Sequence, residues 1–451
     1  MVPAEVDVAI VGFGPTGATL ANACGRLGLR TLVYERSHAP YPLPRACHLD
    51  AEIARVFQDL GFEPELASLV TPSAGMEYVG PGATHLFSFE GFEREQLLGW
   101  PEDLVFIQPD IDRMLRRGVD RYPTVEVHLG AAAPPVTAVP ARFVVACDGA
   151  GSDVRRELGV PQRDLGFDEE WLVVDVMLRR PVPLPRIIQQ VCDPARLATF
   201  VPSHGPHRRW ELRINEGDDP GDLARPERVW SLLAPWGVGP DDAELVRAVP
   251  YRFHAVVAER WRAGRVFLAG DAAHQMPPFM GQGLCSGVRD AVNLAWKLAA
   301  VVRGEAGQAL LDTYETERRP HAEAVIELSI QAGRLLGQLA AALAAGRPLP
   351  LPEPSVPDPT RWSRLPGLNL GGRFPIGHLV PQPWVSGRRL DELLGDGWAV
   401  VARVEVPTPA GVPLVLCPNA TYGHEAVLVR PDRYIAGVAD PEGFTALPLP
   451  R

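Results

Sequence analysis

The amino-acid sequence predicts an α/β protein with a parallel sheet at its centre. A short apolar run, residues 7–11, is followed by a glycine-rich turn, a helical pattern and a second apolar run. Two later apolar runs, residues 141–147 and 264–269, each lead to an aspartate, and a helical pattern follows both. Strands that alternate with helices in this way are typical of βαβ units, whose strands pair in parallel.

Length and charge narrow the class of protein. At 451 residues the chain is too long for one compact core, so two or three domains are expected. The net charge of -11 argues against a nucleic-acid partner. The longest apolar stretch, residues 325–346, contains Glu327 and Arg334, so a packed helix is expected there and no membrane span. The N-terminus shows no signal peptide, which favours a cytoplasmic location.

The cysteine pattern also favours a cytoplasmic location. They are scattered, without the CxxC or CxxH spacing of a zinc site or the pattern of a secreted disulfide framework. A reducing cytoplasm fits this arrangement. The six positions are Cys24, Cys47, Cys147, Cys192, Cys285 and Cys417.

The first glycine-rich turn, residues 12–17 (GFGPTG), predicts a dinucleotide site. Gly12 permits the tight turn, Gly14 lets backbone amides approach a pyrophosphate, and Gly17 lets the helix pack on the strand. The helix N-terminus adds unpaired amides and a partial positive charge for the phosphates. The alternative is a glycine-rich turn without a ligand, which the surrounding strand, helix and strand make the weaker interpretation.

Glu35 ends the second apolar run, 18 residues after Gly17. A carboxylate there can accept both ribose hydroxyls of an adenosine, although it could also be a solvated strand end. Glutamate disfavours a 2′-phosphate, so NADP is not expected at this position. The first motif alone does not separate FAD from NAD.

Two further motifs favour FAD. Asp271 follows the apolar run 264–269 and could accept hydrogen bonds from a ribityl chain, or could equally cap a helix. Gly281 and Gly283 could leave space for a flat ring at a helix N-terminus, where the helix dipole stabilises the negative charge of a reduced flavin. The alternative for these glycines is a plain turn.

Together the segments GFGPTG, CDGAGSDVRRELG and GRVFLAGDAAHQMPPFMGQG resemble the class A FAD-dependent aromatic hydroxylases, which have the p-hydroxybenzoate hydroxylase fold. Finer features, such as PYPLPRACHLDAEIARVFQDLGF and DTYETERRPHA, resemble the 3-(3-hydroxyphenyl)propionate hydroxylase branch. The resemblance covers about residues 5–330.

This resemblance implies an FAD-binding, Rossmann-like domain of the GR2 type, with an inserted β-sheet substrate domain and a small thioredoxin-like C-terminal domain. The expected boundaries are residues 1–75, 100–165 and 255–345 for the FAD domain, 76–99 and 166–254 for the substrate domain, 346–361 for a proline-rich linker and 362–451 for the C-terminal domain. The C-terminal domain lacks CxxC, so packing or assembly is expected of it.

One segment departs from the family pattern. Between Val125 and Asp148 the family has a longer β-meander, and here only residues 135–139 and 142–146 could be strands. The C-terminal domain is also short.

The resemblance also implies roles for individual residues. Arg45 would approach the flavin, Gln108 would bind it, and Asp148 would belong to the motif that touches flavin and nicotinamide. The expected cofactor-binding residues are Gly12, Gly14, Pro15, Thr16, Gly17, Glu35, Arg36, Arg45, Gln108, Asp148, Gly149, Gly270, Asp271, Pro278, Gly281, Gln282, Gly283 and Leu284.

The implied activity is that of a flavoprotein monooxygenase. NAD(P)H would dock transiently to reduce a mobile FAD, and a flavin C4a-hydroperoxide would then hydroxylate a phenol, such as a 3-hydroxyphenyl-alkanoate, ortho to its hydroxyl. His48 is the first candidate for a general base, ahead of Tyr251, His254 and His274, although single histidines more often have structural roles.

The expected partners are a small aromatic substrate and O₂, with no nucleic acid and no membrane; a homodimer is left open. Two alternatives remain. One is a tailoring oxygenase for a polyketide or other fused aromatic, and the other is a non-catalytic protein that uses the same fold to bind lipidated GTPases.

Overall fold

A computed structural model of the protein describes residues 6–93, 97–351, 365, 374–439 and 444. The strands, in chain order, are β1 (Val6–Val11), β2 (Thr31–Glu35), β3 (His48–Asp50), β4 (Val70–Pro72), β5 (Gly75–Val79), β6 (His85–Glu90), β7 (Asp103–Phe106), β8 (Val125–Leu129), β9 (Ala141–Ala146), β10 (Gln162–Leu178), β11 (Ile188–Asp193), β12 (Arg196–Val201), β13 (His207–Arg213), β14 (Ala243–Ala258), β15 (Arg262–Ala263), β16 (Val266–Leu268), β17 (His274–Gln275), β18 (Trp384–Val385), β19 (Arg388–Arg389), β20 (Ala399–Ala402), β21 (Leu414–Leu416), β22 (Ala426–Val429) and β23 (Ile435–Ala439). The α-helices are α1 (Pro15–Arg26), α2 (Ala51–Asp59), α3 (Glu63–Leu69), α4 (Gln108–Gly118), α5 (Asp153–Glu157), α6 (Pro220–Leu223), α7 (Pro226–Leu233), α8 (Gly283–Val302), α9 (Ala309–Ala344) and α10 (Asp391–Leu394).

The expected parallel sheet is present. Six strands lie in the order β15-β16-β9-β1-β2-β8, and the five from β16 to β8 are parallel. Val8, Ala9 and Ile10 of β1 have no exposed surface, as expected for a parallel strand covered on both faces. Since β16, β9 and β1 are neighbours, the three aspartate- and glycine-bearing turns that follow them meet at one edge of the sheet.

Helix α8 fixes the position of the third turn. Its residues Val288, Ala291, Leu294 and Leu298 are fully buried, and it packs against α1 over much of its length. This spacing of three and four residues is the apolar stripe of a core helix. The N-termini of α1 and α8 therefore lie at the same edge as the turns.

The second large sheet has eight strands in the order β17-β14-β10-β13-β12-β11-β5-β6. One face carries Leu172, Val174, Phe200 and Trp210, which pack with apolar residues of α6 and α7. The opposite face carries Trp171 and Val173, which belong to the core shared with the parallel sheet. The alternation of side chains along β10 thus turns one face of this sheet toward the three turns.

The segment before Asp148 differs from the expectation in two ways. Residues 125–129 were not expected to be a strand, but they form β8, which pairs with β2 at the edge of the parallel sheet. Residues 135–139 form a turn and no strand, whereas residues 141–146 form β9. Val136 donates its N–H to Glu157, and Ala138 donates to the carbonyl of Pro135, so these amides have partners outside any strand. A loop over residues 130–140 joins β8 to β9 directly.

Helix α9 contains most of the apolar stretch that was expected to be a packed helix. It runs beside α8 and reaches the eight-stranded sheet, where Leu336 and Leu339 are fully buried. Among the residues that the structure describes, no helix is long and apolar enough to cross a membrane.

The C-terminal region has a four-stranded mixed sheet in the order β21-β20-β22-β23. Strands β20 (Ala399–Ala402) and β22 (Ala426–Val429), antiparallel to each other, lie at its centre and are buried along their whole length. Most of the proline-rich linker lies outside the described residues, and residues 347–351 have no regular secondary structure.

Candidate active site

The three motifs converge at the carboxyl ends of β1, β9 and β16. A Cβ added to Gly12 would lie 2.4 Å from the carbonyl oxygen of Cys147, which joins the first motif to the second. A Cβ added to Gly270 would lie 2.6 Å from Oγ1 of Thr16, which joins the first motif to the third. Gly12 also has a φ of +98°, and Gly270 a φ of +62°, where other residues are strained.

The glycines of the first turn have two different roles. A Cβ on Gly17 would lie 2.1 Å from the carbonyl oxygen of Gly12, so Gly17 is required by packing. A Cβ on Gly14 would meet nothing within 4 Å. Gly14 is the N-cap of α1, no side chain caps that helix, and Pro15 occupies its first position. Open space before uncapped amides is what a pyrophosphate requires.

Glu35 faces this turn from β2. Its Oε2 accepts the N–H of Phe13 at 2.8 Å, and its Oε1 accepts the N–H of Ser37 at 2.8 Å. A carboxylate has about four acceptor sites, so ribose hydroxyls can still be bound. Arg36, the next residue, is exposed beside it.

Sequence reasoning missed Arg116, on α4. Its Nη2 lies 3.6 Å from Glu35, its Nε donates to the carbonyl of Phe13, and its guanidinium lies 5.0 Å from the Phe13 ring centroid. Its Nη1 is buried without a partner among the described residues. No motif spacing identifies Arg116, because it approaches the first turn from a helix 103 residues further along the chain.

Asp148, like Arg116, has one side-chain atom with a partner and one without. Its Oδ2 accepts the N–H of Val154 at the start of α5, and its Oδ1 is buried without a partner among the described residues. Gly149, the next residue, has a φ of +82°. These orphaned polar atoms and the open Gly14 turn fit a bound dinucleotide that supplies donors and acceptors.

Asp271 lies on the turn between β16 of the parallel sheet and β17 of the eight-stranded sheet. It is exposed although protein surrounds it closely, so it lies in a cleft between the two sheets. It does not cap a helix, and it has no hydrogen bond to a described residue. It is exposed, yet the surrounding protein is dense enough that burial raises its pKa, while His274 and Arg45 partly offset that rise. Tyr251 faces the same cleft, where burial and the charge of Asp271 raise its pKa.

Hydrogen bonds to Asp290 fix the turn that carries Asp271. This buried carboxylate accepts the N–H of Gly270 at 3.0 Å, Nε2 of His274 at 2.8 Å and Nε of Arg318 at 2.9 Å. His274 is therefore a structural residue that orients the turn. Of the other candidate bases, His254 is exposed on β14.

The geometry of His48 favours a structural role over the expected general base. Its Nε2 lies 2.7 Å from Asp103 Oδ1, and its Nδ1 lies 3.2 Å from the carbonyl oxygen of Gly281. Burial alone would lower the pKa of His48, but Asp103 outweighs burial and holds that pKa well above its usual value. A doubly protonated ring donates to both oxygens and has no free nitrogen to accept a phenol proton.

Gly281 accordingly makes room for His48. A Cβ on Gly281 would lie 2.5 Å from Nδ1 of His48, and the φ of Gly281 is +63°. Gly283, at the start of α8, has only Met276 within 4 Å of an added Cβ, at 3.9 Å. The expectation of ring space at both glycines therefore fits Gly283, while Gly281 is explained by packing against His48.

The Gln282 side chain points away from the cleft. Its Nε2 donates to Asp50 at 3.0 Å, and its Oε1 accepts Nη1 of Arg289 at 2.9 Å. Only its backbone is left for a cofactor. Pro278 and Leu284, on either side, are partly exposed.

Gln108 supports the segment that carries Arg45. Its Oε1 accepts the N–H groups of Arg45 and Ala46, at 3.2 and 2.7 Å, and its Nε2 lies 3.3 Å from Asp112. The amide oxygen of the side chain that was expected to bind flavin is thus occupied by the protein, while its Nε2 has a second N–H. Arg45 itself is exposed, with its guanidinium 4.4 Å from the ring centroid of Tyr41.

The eight-stranded sheet holds the same segment from the other side. Arg209 on β13 donates to the carbonyls of Pro44 and Arg45. Its Nε also donates to Asp175 at 2.8 Å. Asp175 has no exposed surface, and Arg247 binds its second oxygen at 2.8 Å.

Comparisons with known proteins decide the family. Residues 5–329 match the family described as FAD binding domain. The chain belongs to this family. It is 37% identical over 423 residues to the probable NADH-specific resorcinol 4-hydroxylase of Rhodococcus jostii, covering 88% of this chain and 79% of that protein.

The 3-(3-hydroxy-phenyl)propionate/3-hydroxycinnamic acid hydroxylase of Escherichia coli is 39% identical over 352 residues, covering 74% of this chain. The match spans 62% of the length of that enzyme. The expected family, the FAD cofactor with a nicotinamide co-substrate, and the class of flavoprotein monooxygenase are confirmed.

Solved structures support the fold over nearly the whole chain. The ternary complex of aklavinone-11 hydroxylase with FAD and aklavinone has a TM-score of 0.79 at 25% identity, covering 99% of this chain and 97% of that chain. Anhydrotetracycline hydroxylase from Streptomyces rimosus has a TM-score of 0.72 at 24% identity, covering 97% and 96%.

Proposed function

We propose that the protein hydroxylates a phenol that carries a second substituent meta to its hydroxyl, using FAD, NAD(P)H and O₂, and that the new hydroxyl enters ortho to an existing one. The observation that carries this proposal is the cleft beside Asp271, which lies between the cofactor motifs and the inner face of the eight-stranded sheet. The two hydroxylases reported above support the substitution pattern, since resorcinol and 3-(3-hydroxyphenyl)propionate are both meta-substituted phenols.

Different residues would bind different parts of FAD. The uncapped N-terminus of α1 would hold the pyrophosphate, Glu35 and Arg116 would hold the adenosine end, and Asp271 would accept hydrogen bonds from the ribityl chain. Bound and reduced FAD supplies the oxygen-activating chemistry. The protein then has to orient the phenol and exclude water, which is the role we assign to the sheet face and the Arg45 segment.

The substrate is best tested with a panel of phenols. FAD-loaded protein is mixed with NADH or NADPH in a stopped-flow instrument, with and without resorcinol or 3-(3-hydroxyphenyl)propionate, and the products are identified by mass. We expect the correct phenol to accelerate flavin reduction and to gain one oxygen. Equal reduction rates across the panel, with hydrogen peroxide as the only product, would contradict the proposal.

A fused aromatic substrate is the second candidate. The similarity to the aklavinone-11 hydroxylase complex over 99% of this chain supports it. A polycyclic phenol belongs in the same panel, and stimulation by that compound alone would favour a tailoring oxygenase. Six free cysteines suit the reducing cytoplasm as the location of either enzyme.

A further inference from the structure

One row of side chains crosses the inner face of the eight-stranded sheet and is defined here as the central row. The pairing of β14, β10, β13, β12, β11 and β5 places its members opposite one another. Side chains directly opposite in adjacent strands lie on the same face. The central row consists of Val249, Val173, Glu211, Thr199, Gln190 and Tyr78.

The neighbouring side chains place the central row at the cleft. On one side Trp171 packs against Phe279, two residues before Gly281, at 5.4 Å between ring centroids. On the other side Arg209 donates to the carbonyl of Arg45. The central row therefore lies between the two segments that border the flavin side of the cleft. It opens at Val249, whose side chain is 44% exposed.

Glu211 is the unpaired polar member of this row. It is 7% exposed and has no hydrogen bond or ion pair to a described residue. Thr199 and Gln190, by contrast, satisfy each other through a 2.7 Å hydrogen bond. Burial raises the pKa of Glu211, and Arg209 only partly offsets that rise. A buried carboxylate without a donor is costly, which makes it a strong acceptor for a ligand.

The charges around Glu211 are already balanced. Arg209 and Arg247 both bind Asp175, so one carboxylate faces two guanidinium groups. Glu211 supplies the second negative charge, and burial lowers the pKa of His207, which therefore adds no positive charge at neutral pH. A carboxylate on the substrate would find no net positive charge here, whereas a hydroxyl could donate to Glu211.

We propose that Glu211 accepts a hydrogen bond from the meta hydroxyl of the substrate and so selects uncharged dihydroxybenzenes over phenols with a carboxylate side chain. This inference rests on the proposed phenol hydroxylation and narrows its substrate class. Glu211 is a specificity-determining residue in this arrangement, and the hydroxyl that activates the ring remains directed toward the flavin.

The test compares three probes that differ only at the meta position. Resorcinol has a hydroxyl there, 3-methoxyphenol has an acceptor without a donor, and 3-(3-hydroxyphenyl)propionate has a carboxylate chain. Their dissociation constants are measured by flavin absorbance changes on the FAD-loaded protein, so the readout does not require turnover. For the wild type we expect resorcinol to bind most tightly.

Two variants separate charge from shape. In Glu211→Leu we expect resorcinol to bind about tenfold or more weakly, because a charge-assisted hydrogen bond is lost. Glu211→Gln keeps the size of the side chain and should weaken resorcinol less. Neither variant should weaken 3-methoxyphenol, and both should tighten the propionate. Glu170→Gln, an acidic residue on the opposite face of the same sheet, is the matched control and should change none of the three.

Different results would contradict the role of Glu211 and the proposed hydroxylation. A wild type that binds the propionate more tightly than resorcinol, or variants that weaken all three probes equally at unchanged FAD content, would overturn the role of Glu211. If the binding pattern holds but no phenol accelerates NAD(P)H oxidation, the proposed hydroxylation fails instead.

Discussion

Asp271 is the residue whose environment argues most directly for a ligand. Its carboxylate is exposed in a cleft and makes no hydrogen bond to a described residue, while the turn beneath it is fixed by Asp290. We expect Asp271→Ala to weaken FAD binding by about 1.5–3 kcal/mol, the usual contribution of a hydrogen bond to a charged group. The measurement is a fluorescence titration of apoprotein with FAD. Asp153→Ala, an exposed aspartate on α5, serves as control, and equal affinities in the two variants would remove Asp271 from the site.

The hydrogen-bonded pair of His48 and Asp103 gives a second prediction. His48 has a raised pKa in the folded protein, so its contribution to stability is complete below the unfolded value near 6.5 and is lost as pH rises through the folded pKa. We expect His48→Gln to be destabilised most below pH 6.5, with the difference from wild type shrinking at alkaline pH. Urea unfolding of the apoprotein across this range measures it. A difference that grows with pH would show that His48 is neutral in the fold.

Single residues also show where sequence reasoning fails. The aspartates and glycines of the motifs were predictable, because their spacing follows from the turn that each must form. The contact of Gln108 with two backbone amides of the Arg45 segment was not predicted, and its binding to flavin stays a prediction. Arg116 was not predicted, since its contacts to Phe13 and Glu35 depend on how α4 packs on the first turn.

At the scale of elements, the first glycine turn separates packing from binding. Gly17→Ala would place a methyl group 2.1 Å from a backbone oxygen, and we expect it to destabilise the apoprotein by about 1–3 kcal/mol as an overpacked site. Gly14→Ala has open space and a φ of -74°, so the apoprotein should keep its stability and lose FAD affinity. Thermal unfolding and FAD titration of both variants test this contrast. A stable Gly17→Ala apoprotein, or full FAD affinity in Gly14→Ala, would contradict it.

The strands were predictable to different degrees for a physical reason. Strands β1 and β16 of the parallel sheet are apolar runs that are largely buried, which gives a strong signal. Strand β8, at the edge of the sheet, has no fully buried residue and was not predicted. Residues 135–139 contain a comparable apolar pattern but form a turn, because Glu157 and Pro135 accept the amides of Val136 and Ala138. Glu157 lies 21 residues further along the chain and reaches Val136 only in the folded protein.

At the scale of the whole molecule, the C-terminal region is joined to the FAD-binding helices by buried ion pairs. Arg55 on α2 binds Asp391 on α10, and both side chains are 2% exposed. Arg430, after β22, binds Glu317 on α9 with both terminal nitrogens, at 3.0 and 2.9 Å. Such pairs join residues 113 or more positions apart, so neither spacing nor periodicity could predict them.

Lys297 belongs to the same cluster. The only lysine in the chain is fully buried on α8, where its Nζ donates to Glu317 at 2.7 Å. Burial lowers the pKa of Lys297 to about 8, and Glu317 offsets part of that effect. This face of α8 is covered by α9 and Arg430.

The Glu317 cluster should make the whole protein acid-sensitive. Burial alone would raise the pKa of Glu317, but Arg430 and Lys297 outweigh it, and the folded-state pKa lies well below the usual value of 4.5. A carboxylate with a lowered pKa contributes stability that is complete above its unfolded value and is lost as pH falls through the folded value. We therefore expect the free energy of unfolding to decrease as the pH falls below about 4.5. This part of the pH dependence should become smaller when Glu317 loses Arg430 and keeps only Lys297.

Arg430→Met tests this expectation at the interface between the C-terminal region and α9. Removing one member of a buried ion pair leaves the other charge uncompensated, so a loss of about 3–5 kcal/mol is expected at neutral pH. The exposed Arg403→Met, beside β20, is the matched control and should lie close to wild type. Urea unfolding from pH 7 down to 3, followed by fluorescence, gives both quantities. The cluster connects the C-terminal region to α8, whose N-terminus borders the flavin cleft, so FAD should be released in the same unfolding transition. A separate, earlier transition in which FAD stays bound would show that the C-terminal region docks independently of the site.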